Sequence, residues 1–363
     1  MPRMLEKCSS DDEEVILSSI LQAYSALAPT KSITIPETLS FTKVHGFLLD
    51  KILLNRHLRD YPPSEQYQHK FWKWALGTLE YMSKDDEHSE IDERVYEHYV
   101  SLIQSVRSGA PSDSYITYYW KPGKPQESKA GEIETITLLE SRTTIEAGTT
   151  GLRTWRASVV LAQYLLEHPE YVSHKTVLEL GSGTGLIGIL VASMQLRAHS
   201  FHSTTNAMQH ERRRVFLTDV NSSVLARCRH NIHLSCNRSS LHPGIEYWSL
   251  DWFDSLTCRE SLSSLFCEAN ADIILGADIV FDPELVPPLV ATLHVAISHG
   301  SIRMALIALT VRNEETLSYF LHEIQKVLRI EEVKLTITDG FTSLAPDEVD
   351  AGLEVRLFRL TRI

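Results

Sequence analysis

Small residues between positions 181 and 185 form the loop of this sequence that is best suited to hold a ligand. The stretch TVLELGSGTGLIG (residues 176–188) reads as an apolar strand, a loop with glycine at every second position, and the start of a helix. Glycine permits sharp backbone turns and the close approach of a ligand. The loop therefore indicates a ligand site at a helix N-terminus, with a plain tight turn as the alternative.

The spacing of the glycines leaves two kinds of ligand open. A dinucleotide site needs G-x-G-x-x-G, and counting from Gly181 places Leu186 where the third glycine is required. Counting from Gly183 satisfies the pattern, but this frame begins two residues after the strand ends. The acid Glu179, just before the loop, suits a ligand that carries a cationic amine rather than a pyrophosphate.

Polar or aromatic residues follow three later strands at the positions where those strands end. Asp219 ends the strand FLTD and could accept hydrogen bonds from ribose hydroxyls, or it could cap the next helix. In the segment LDW, the indole of Trp252 could cover an adenine face beside Asp251, or Trp252 could belong to the core. The strand DIILGAD reaches Ala277 and Asp278, and Asp278 could also be a helix cap. Because ligands of α/β sheets bind beyond the carboxyl ends of strands, these residues are expected to share one crevice.

The elements that must position these residues differ between the two parts of the chain. Apolar residues recur at helical spacing in the first part, which predicts helices over 13–27, 47–58, 65–82 and 91–106. We therefore interpret 1–110 as an all-helical region with a scaffold or substrate-docking role. Residues 111–132 are rich in Ser, Gly, Pro and Lys, which indicates a linker or a long hairpin loop.

From residue 133 to residue 363, strands and helices alternate, which is typical of an α/β domain with a largely parallel sheet. Strands are predicted over 133–139, 175–180, 215–218, 245–248, 271–275 and 304–310. Residues 333–337 and 353–360 are expected to pair antiparallel, because the segment between them is too short for a crossover helix. The polar stretch 195–214 reads as an insertion between a helix and a strand.

Composition excludes several classes of protein. The formal net charge is −12, so there is no electrostatic case for binding nucleic acid or an anionic membrane non-specifically. No stretch of the sequence is long and apolar enough for a membrane span, and the acidic N-terminus is unlike a signal peptide. The five cysteines form no metal-binding spacing and read as reduced thiols, so we expect a cytoplasmic protein without a metal site.

Together these motifs resemble a known enzyme family. ELGSGTG, the acid at the second strand tip, LDW and GADIVF are similar to the motifs of seven-β-strand S-adenosylmethionine-dependent methyltransferases. The block TTGLRTW (149–155) and the D-x-x-F of 278–281 resemble the lysine methyltransferases that modify translation factors and chaperones. The resemblance implies a Rossmann-like seven-stranded methyltransferase sheet after the helical region, S-adenosyl-L-methionine as cofactor, and a protein substrate. Among possible substrates it favours elongation factor 2.

The resemblance also implies roles for particular residues. The residues that it places against the cofactor are Trp155, Gly181, Ser182, Gly183, Asp219, Trp252 and Ala277. On the acceptor side, it implies that Asp278 hydrogen-bonds the lysine amine or holds the target strand, and that Phe281 forms an aromatic wall. Phe281 stands where the family more often has tyrosine, so a phenolic hydroxyl is absent there.

Two other functions remain as alternatives. A nicotinamide-dependent oxidoreductase would use the glycine frame that begins at Gly183. An adaptor could keep the methyltransferase fold without catalysis, although the intact glycines and Asp219 argue against a dead site. A nucleic-acid methyltransferase would carry an N/D-P-P-Y type of motif, and the sequence has none.

Overall fold

The computed structural model describes residues 10–84, 89–106, 113–122, 133–146, 148–201, 213–299, 302–335 and 352–363. These residues divide into two compact units. The first unit contains the described residues up to Tyr118, together with Leu139–Thr143. The second unit contains Tyr119–Leu138 and the described residues from Thr144 onward.

The first unit is built from helices packed around an aromatic core. Its helices are α1 (Ser10–Ser25), α2 (Phe41–Phe47), α3 (Arg56–Asp60), α4 (Glu65–Ser83) and α5 (Glu93–Val106). Tyr24, Phe71 and Trp72 are almost fully buried at the centre. The described residues up to Val106 therefore confirm the helical reading of this part of the chain.

The single helix expected over 47–58 is wrong in detail. A π-helical segment, Leu48–Leu53, continues directly from α2, and a separate helix α3 begins at Arg56. Asn55 interrupts the run because its side chain accepts hydrogen bonds from the backbone N–H groups of His57 and Leu58. An asparagine that caps in this way starts a new helix rather than continuing the old one.

A two-stranded sheet consists of β1 (Ser114–Trp120) and β2 (Glu134–Glu140). The strand β1 lies inside the stretch 111–132 that the sequence analysis read as a linker or loop, so for these seven residues that reading is wrong. Its sequence SYITYYW is rich in aromatic and β-branched residues, and Ile116, Tyr118 and Trp120 are buried. Residues 123–132 lie outside the described residues. The limits 1–110, 111–132 and 133–363 stay predictions.

The second unit is a sheet covered by helices. Its helices are α6 (Arg156–Glu167), α7 (Leu186–Phe201), α8 (Ser222–Ile232), α9 (Asp254–Thr257), α10 (Arg259–Ala269), α11 (Val286–His299) and α12 (Glu314–Ile324). Its strands are β3 (Val177–Leu180), β4 (Val215–Asp219), β5 (Ile245–Ser249), β6 (Ile273–Ala277), β7 (Met304–Thr310), β8 (Arg329–Val333) and β9 (Val355–Thr361). The order across the sheet is β5-β4-β3-β6-β7-β9-β8.

Strand directions confirm the expected Rossmann-like seven-stranded architecture. The five strands from β5 to β7 are parallel, whereas β9 runs antiparallel to both β7 and β8. The antiparallel final pair is thus confirmed, but its first strand ends at Val333 instead of beginning there. The parallel strands are almost entirely buried in the centre of the sheet, which is why their sequences are continuous apolar runs.

Helix α7 is longer than the sequence analysis expected. It continues to Phe201, so the first seven residues of the presumed insertion 195–214 are helical. The run QLRAHSF contains neither glycine nor proline, and the buried amide of Gln195 donates to the carbonyl groups of Val172 and Lys175. Residues 202–212 lie outside the described residues.

Register places the ends of the parallel strands side by side. Leu180, the last residue of β3, pairs with Thr218 on one side and with Gly276 on the other. Asp219 pairs with Ser249, so the end of β4 lies beside the end of β5. The loops that follow these four strands therefore open at one edge of the sheet, where the predicted site residues lie.

Candidate active site

The glycine loop adopts a backbone that favours glycine at alternate positions. Gly181, Gly183 and Gly185 have φ angles of +64°, +52° and +93°. A Cβ atom on Gly181 would lie 2.9 Å from Cγ2 of Ile279, closer than real Cβ contacts allow. These glycines therefore keep the loop in a left-handed conformation and leave its surface open for a ligand.

Ser182 ties the glycine loop to the neighbouring strand. Its N–H donates to the carbonyl of Thr218 at 2.8 Å, and its hydroxyl accepts from the N–H of Thr218 at 2.9 Å. The hydroxyl of Thr218 in turn donates to the carbonyl of Glu179 at 2.7 Å. Because both backbone groups of Thr218 are bonded here, Ser182 fixes the loop against β4 through its own side chain.

Glu179 is a buried carboxylate without a counter-charge among the described residues. Its residue is 4% exposed, and its Oε2 atom has no hydrogen-bond partner within the described part of the chain. Burial raises the pKa of this carboxyl well above 4.5, and the nearby Asp219 adds to the rise, whereas hydrogen bonds from Gly188 and Ser182 oppose it. An orphaned acid beside an open loop fits a ligand with a cationic amine.

Asp219 lies at the end of β4 as the sequence analysis expected. Its Oδ1 accepts from the N–H of Asn221 at 2.9 Å. Burial raises the pKa of Asp219, while hydrogen bonds from the N–H groups of Asn221, Gly183 and Val220 lower it. The alternative of a helix cap is wrong, because Asn221 caps α8 with its own side chain. Asp219 thus contacts the glycine loop itself through the N–H of Gly183.

Trp252 packs against the core, and its place over an adenine face stays a prediction. It is half-buried against the core beneath the sheet edge, and its Cζ2 atom lies 3.9 Å from the Cβ position on Gly181. The indole therefore borders the glycine loop. Two exposed apolar residues that the sequence analysis missed follow the neighbouring strand tips: Val220 is 61% exposed and Phe253 is 46% exposed. For Val220 the available signal was an apolar residue directly after the end of β4, where a polar loop is usual.

The Thr149–Trp155 segment lies against the glycine loop. The hydroxyl groups of Thr154 and Thr184 are 2.6 Å apart, and the carbonyl oxygen of Gly151 lies 3.4 Å from the Cβ position on Gly183. The half-buried Trp155 donates its indole N–H to the carbonyl of Thr150 at 3.0 Å. The structure thus brings Trp155 to the same region as the strand-tip residues.

Asp278 occupies a left-handed backbone position at the end of β6, with φ of +55°. Its side chain is 5% exposed. Oδ1 accepts from the N–H of Thr310 at 2.7 Å, and Oδ2 accepts from the Thr310 hydroxyl at 2.9 Å and the N–H of Ala157 at 3.3 Å. Arg312 adds contacts of 3.2 Å to each carboxylate oxygen. A carboxylate has about four lone-pair positions, so these donors fill it.

The alternative that Asp278 caps the helix after its strand is wrong, because Asp282 caps the next helical turn and Asp278 accepts from α6 instead. Ala157 lies in the first turn of α6, and Trp155 at the N-cap position of that helix provides no side-chain hydrogen bond. The carboxylate of Asp278 takes over this function from 121 residues away, where the helix dipole also favours a negative charge. The sequence analysis considered only the helix that follows Asp278 in the chain.

The remaining predicted residues border the same edge. Ala277 is half-buried, ends β6 and pairs with Ala308 of β7. Phe281 is 53% exposed three residues after Asp278. Its exposed ring offers an apolar surface and cannot accept a proton.

No three side chains among His, Cys, Asp and Glu are grouped so that they could hold a metal ion within the described ranges. Among the described helices, none combines the length and the apolar composition that a membrane span requires.

Comparison with known proteins shows strong similarity to one family. Residues 135–327, more than half of the chain, match the family model described as lysine methyltransferase. The protein-lysine N-methyltransferase EFM3 of Chaetomium thermophilum is 30% identical over 266 residues, which cover 71% of this chain and 72% of that protein. The protein-lysine N-methyltransferase EEF2KMT of Bos taurus is 29% identical over 287 residues, covering 73% of this chain and 72% of that protein.

Among solved structures, the SAM-dependent O-methyltransferase of Thermotoga maritima is 12% identical to this chain. The similarity covers 72% of this chain and 81% of that protein, with a TM-score of 0.36.

Proposed function

The chain belongs to the lysine methyltransferase family, and from this premise we propose that it methylates a lysine of elongation factor 2. The activity is that of an S-adenosyl-L-methionine-dependent protein-lysine N-methyltransferase, and its substrate is therefore a protein. The proposal concerns which protein that is. It is supported by relatives named EEF2KMT in Bos taurus and Homo sapiens, which match over about three-quarters of this chain.

The residues of this chain fit the family's cofactor. The orphaned Oε2 of Glu179 offers a negative charge for the cationic amine of the methionine part. Asp219 offers a carboxylate for the ribose hydroxyls, and the glycines at 181 and 183 leave space that a Cβ would fill. When bound, S-adenosyl-L-methionine supplies a methyl group activated by a positively charged sulfur. The buried Oε2 atom of Glu179, which has no hydrogen-bond partner among the described residues, is the observation that carries this assignment.

The acceptor side is proposed to lie between Asp278 and Phe281. The lysine must arrive uncharged, because an ammonium group has no lone pair with which to accept a methyl group. An exposed aromatic wall such as Phe281 favours this by replacing water around the amine. The acceptor positions of the Asp278 carboxylate are already occupied by donors of the protein. We therefore assign Asp278 the role of shaping the wall beside the lysine rather than of removing a proton.

A labelling experiment tests the substrate. The purified full chain is incubated with methyl-labelled S-adenosylmethionine and a lysate from cells that lack the enzyme, and the labelled protein is identified by mass spectrometry. The Gly183→Arg variant is the control, because its side chain would enter the space beside Gly151. We expect label on one lysine of elongation factor 2 with the parent protein and none with the control.

Other outcomes decide between the remaining alternatives. Label on a different protein would overturn elongation factor 2 as substrate while leaving the enzyme class intact. No label on any protein, together with normal binding of S-adenosylhomocysteine, would identify a methyltransferase-fold adaptor without catalysis.

A further inference from the structure

Arg312 follows the end of β7, and its guanidinium contacts both halves of the site. Nη1 lies 3.2 Å from Oδ1 of Asp278, and Nη2 donates to Oδ2 at the same distance. The guanidinium carbon is 4.6 Å from the centre of the Trp155 ring. The Arg312 side chain is 29% exposed and that of Asp278 is 5% exposed, so the carboxylate is shielded from water and the guanidinium is partly exposed to it.

These two partners belong to segments that come from distant parts of the sequence. Trp155 ends the segment that packs on the glycine loop through Thr154 and Gly151. Asp278 begins the loop that leads to the exposed Phe281. Arg312 is therefore a link between the cofactor-facing segment and the acceptor-facing loop.

The geometry of the link requires an arginine. Two N–H groups of one planar guanidinium face two carboxylate oxygens, which is the forked pairing that arginine forms with Asp. The same plane lies near an indole ring at cation–π distance. A lysine would keep the positive charge, but a single ammonium cannot form the fork and cover the ring together.

We propose that Arg312 is a positioning residue of the methyl-transfer site. It holds the Asp278 loop and the indole of Trp155 at a fixed separation, so that the acceptor amine approaches the methyl group in line. Misplacing reacting groups by about 1 Å can slow a reaction by about 10²-fold, so a side chain that touches neither substrate still affects the rate. This inference rests on the proposed function for its rate measurement only.

The chain offers a matched control for removing such a side chain. Arg356 on β9 forms the same kind of forked pair with Glu332, through contacts of 2.8 and 2.5 Å. Its guanidinium carbon is 5.2 Å from the centre of the Phe358 ring. Glu332 lies on the edge strand β8, three strands from β6 in the sheet order. Arg356→Ala therefore removes a forked ion pair and a ring contact that involve neither Asp278 nor Trp155, and this pair is more exposed because the Glu332 side chain is 47% exposed.

The test compares Arg312→Ala, Arg312→Lys and Arg356→Ala in the full chain. The measurements are Tm, affinity for S-adenosylhomocysteine by calorimetry, hydrogen exchange of residues 149–157, and single-turnover rate with elongation factor 2. We expect both alanine variants to lower Tm, and Arg356→Ala to lower it less, because its partner Glu332 is 47% exposed whereas Asp278 is 5% exposed. Only Arg312→Ala should weaken the affinity by about fivefold, as loss of a cation–π contact implies, and speed exchange in 149–157.

The rate and the lysine variant complete the test. Arg312→Ala should slow single turnover by about tenfold or more while KM for the protein substrate stays within about twofold. Arg312→Lys should recover less than half of this loss. The proposal is overturned if Arg312→Ala matches Arg356→Ala in affinity and exchange, or if the lysine variant restores the parent values. If the parent protein fails to methylate elongation factor 2, the substrate is wrong, but affinity and exchange still decide the role of Arg312.

Discussion

Removing the carboxylate of Asp278 should destabilise the second unit strongly. In Asp278→Ala, the N–H groups of Ala157 and Thr310 lose their acceptor, and both residues are buried. A buried donor left without a partner costs about 1–3 kcal/mol. Alanine at the φ of +55° adds about 1 kcal/mol of backbone strain, whereas Arg312 is exposed enough to be hydrated and adds little. The two donors and the strain together give an expected loss in the free energy of unfolding of about 3–7 kcal/mol.

A comparison with glycine isolates the backbone part of this loss. At a position with negative φ, a protein with glycine is less stable than one with alanine, because glycine loses more conformational freedom on folding. At a φ of +55° the order should reverse, so Asp278→Gly should be about 1 kcal/mol more stable than Asp278→Ala. Both variants lose the same hydrogen bonds, which makes the sign of their difference independent of the carboxylate.

The assay is urea unfolding combined with hydrogen exchange of the β6 and β7 amides. Exchange is needed because a chain with two compact units need not unfold in one step, and these strands report on the second unit alone. A loss below about 1.5 kcal/mol in Asp278→Ala would refute the filled-carboxylate account. If Asp278→Gly were less stable than Asp278→Ala, the left-handed backbone at this position would be refuted.

Three further predictions concern other parts of the site. Gly183→Ala should weaken binding of S-adenosylhomocysteine measured by calorimetry and cost about 1 kcal/mol of stability, because its φ is +52° and Gly151 lies close; unchanged affinity would contradict this. Phe281→Ala should raise KM for the protein substrate about tenfold in steady-state assays. Its free energy of unfolding should stay within about 0.5 kcal/mol of the parent value, because the ring is 53% exposed. An unchanged KM would show that Phe281 does not belong to the acceptor wall. Glu179→Gln should gain stability relative to the parent as pH rises above 4.5, by up to about 1.4 kcal/mol per pH unit. Urea titrations at several pH values measure this difference. A difference that does not depend on pH would show that the buried carboxyl does not titrate as described.

The sign of the Glu179 prediction follows from the raised pKa. A carboxyl whose pKa is higher in the folded state binds its proton more tightly there. Its contribution to stability is fully present below the unfolded value and is lost as pH rises through the folded value. Glutamine does not titrate, so between the unfolded and the folded pKa the free energy of unfolding of the parent protein should fall relative to that of the variant.

Local sequence patterns were sufficient for the strand tips. Short apolar runs that end in Gly181 and Asp219 predict buried parallel strands whose loops meet at one edge, and register confirms this arrangement. The same reasoning was less successful where a single polar side chain decides the structure. Asn55 starts a new helix through its own hydrogen bonds, and Asn221 rather than Asp219 caps α8. Several residue types can cap a helix, so spacing alone does not show which neighbour does it.

The role of Asp278 was beyond the reach of local patterns for a different reason. Its partners are Ala157, 121 residues earlier, and Thr310 and Arg312, more than 30 residues later. Only the assembly of the sheet and its packing with α6 bring β6, β7 and the start of α6 together. The tripeptide context of an acid shows that it lies at a strand tip, but the number of donors around it is a tertiary property.

The two acids Glu179 and Asp278 illustrate how surroundings separate chemical roles in residues of similar type. Asp278 is surrounded by donors, so its charge is compensated within the protein and stabilises the junction of three elements. Glu179 is equally buried but lacks a cation among the described residues, and burial raises its pKa. A buried carboxylate without compensation is unstable as an anion unless a ligand provides the opposite charge. Asp278 therefore shapes the site, and Glu179, whose Oε2 atom has no partner among the described residues, is the acid whose charge a cationic ligand would compensate.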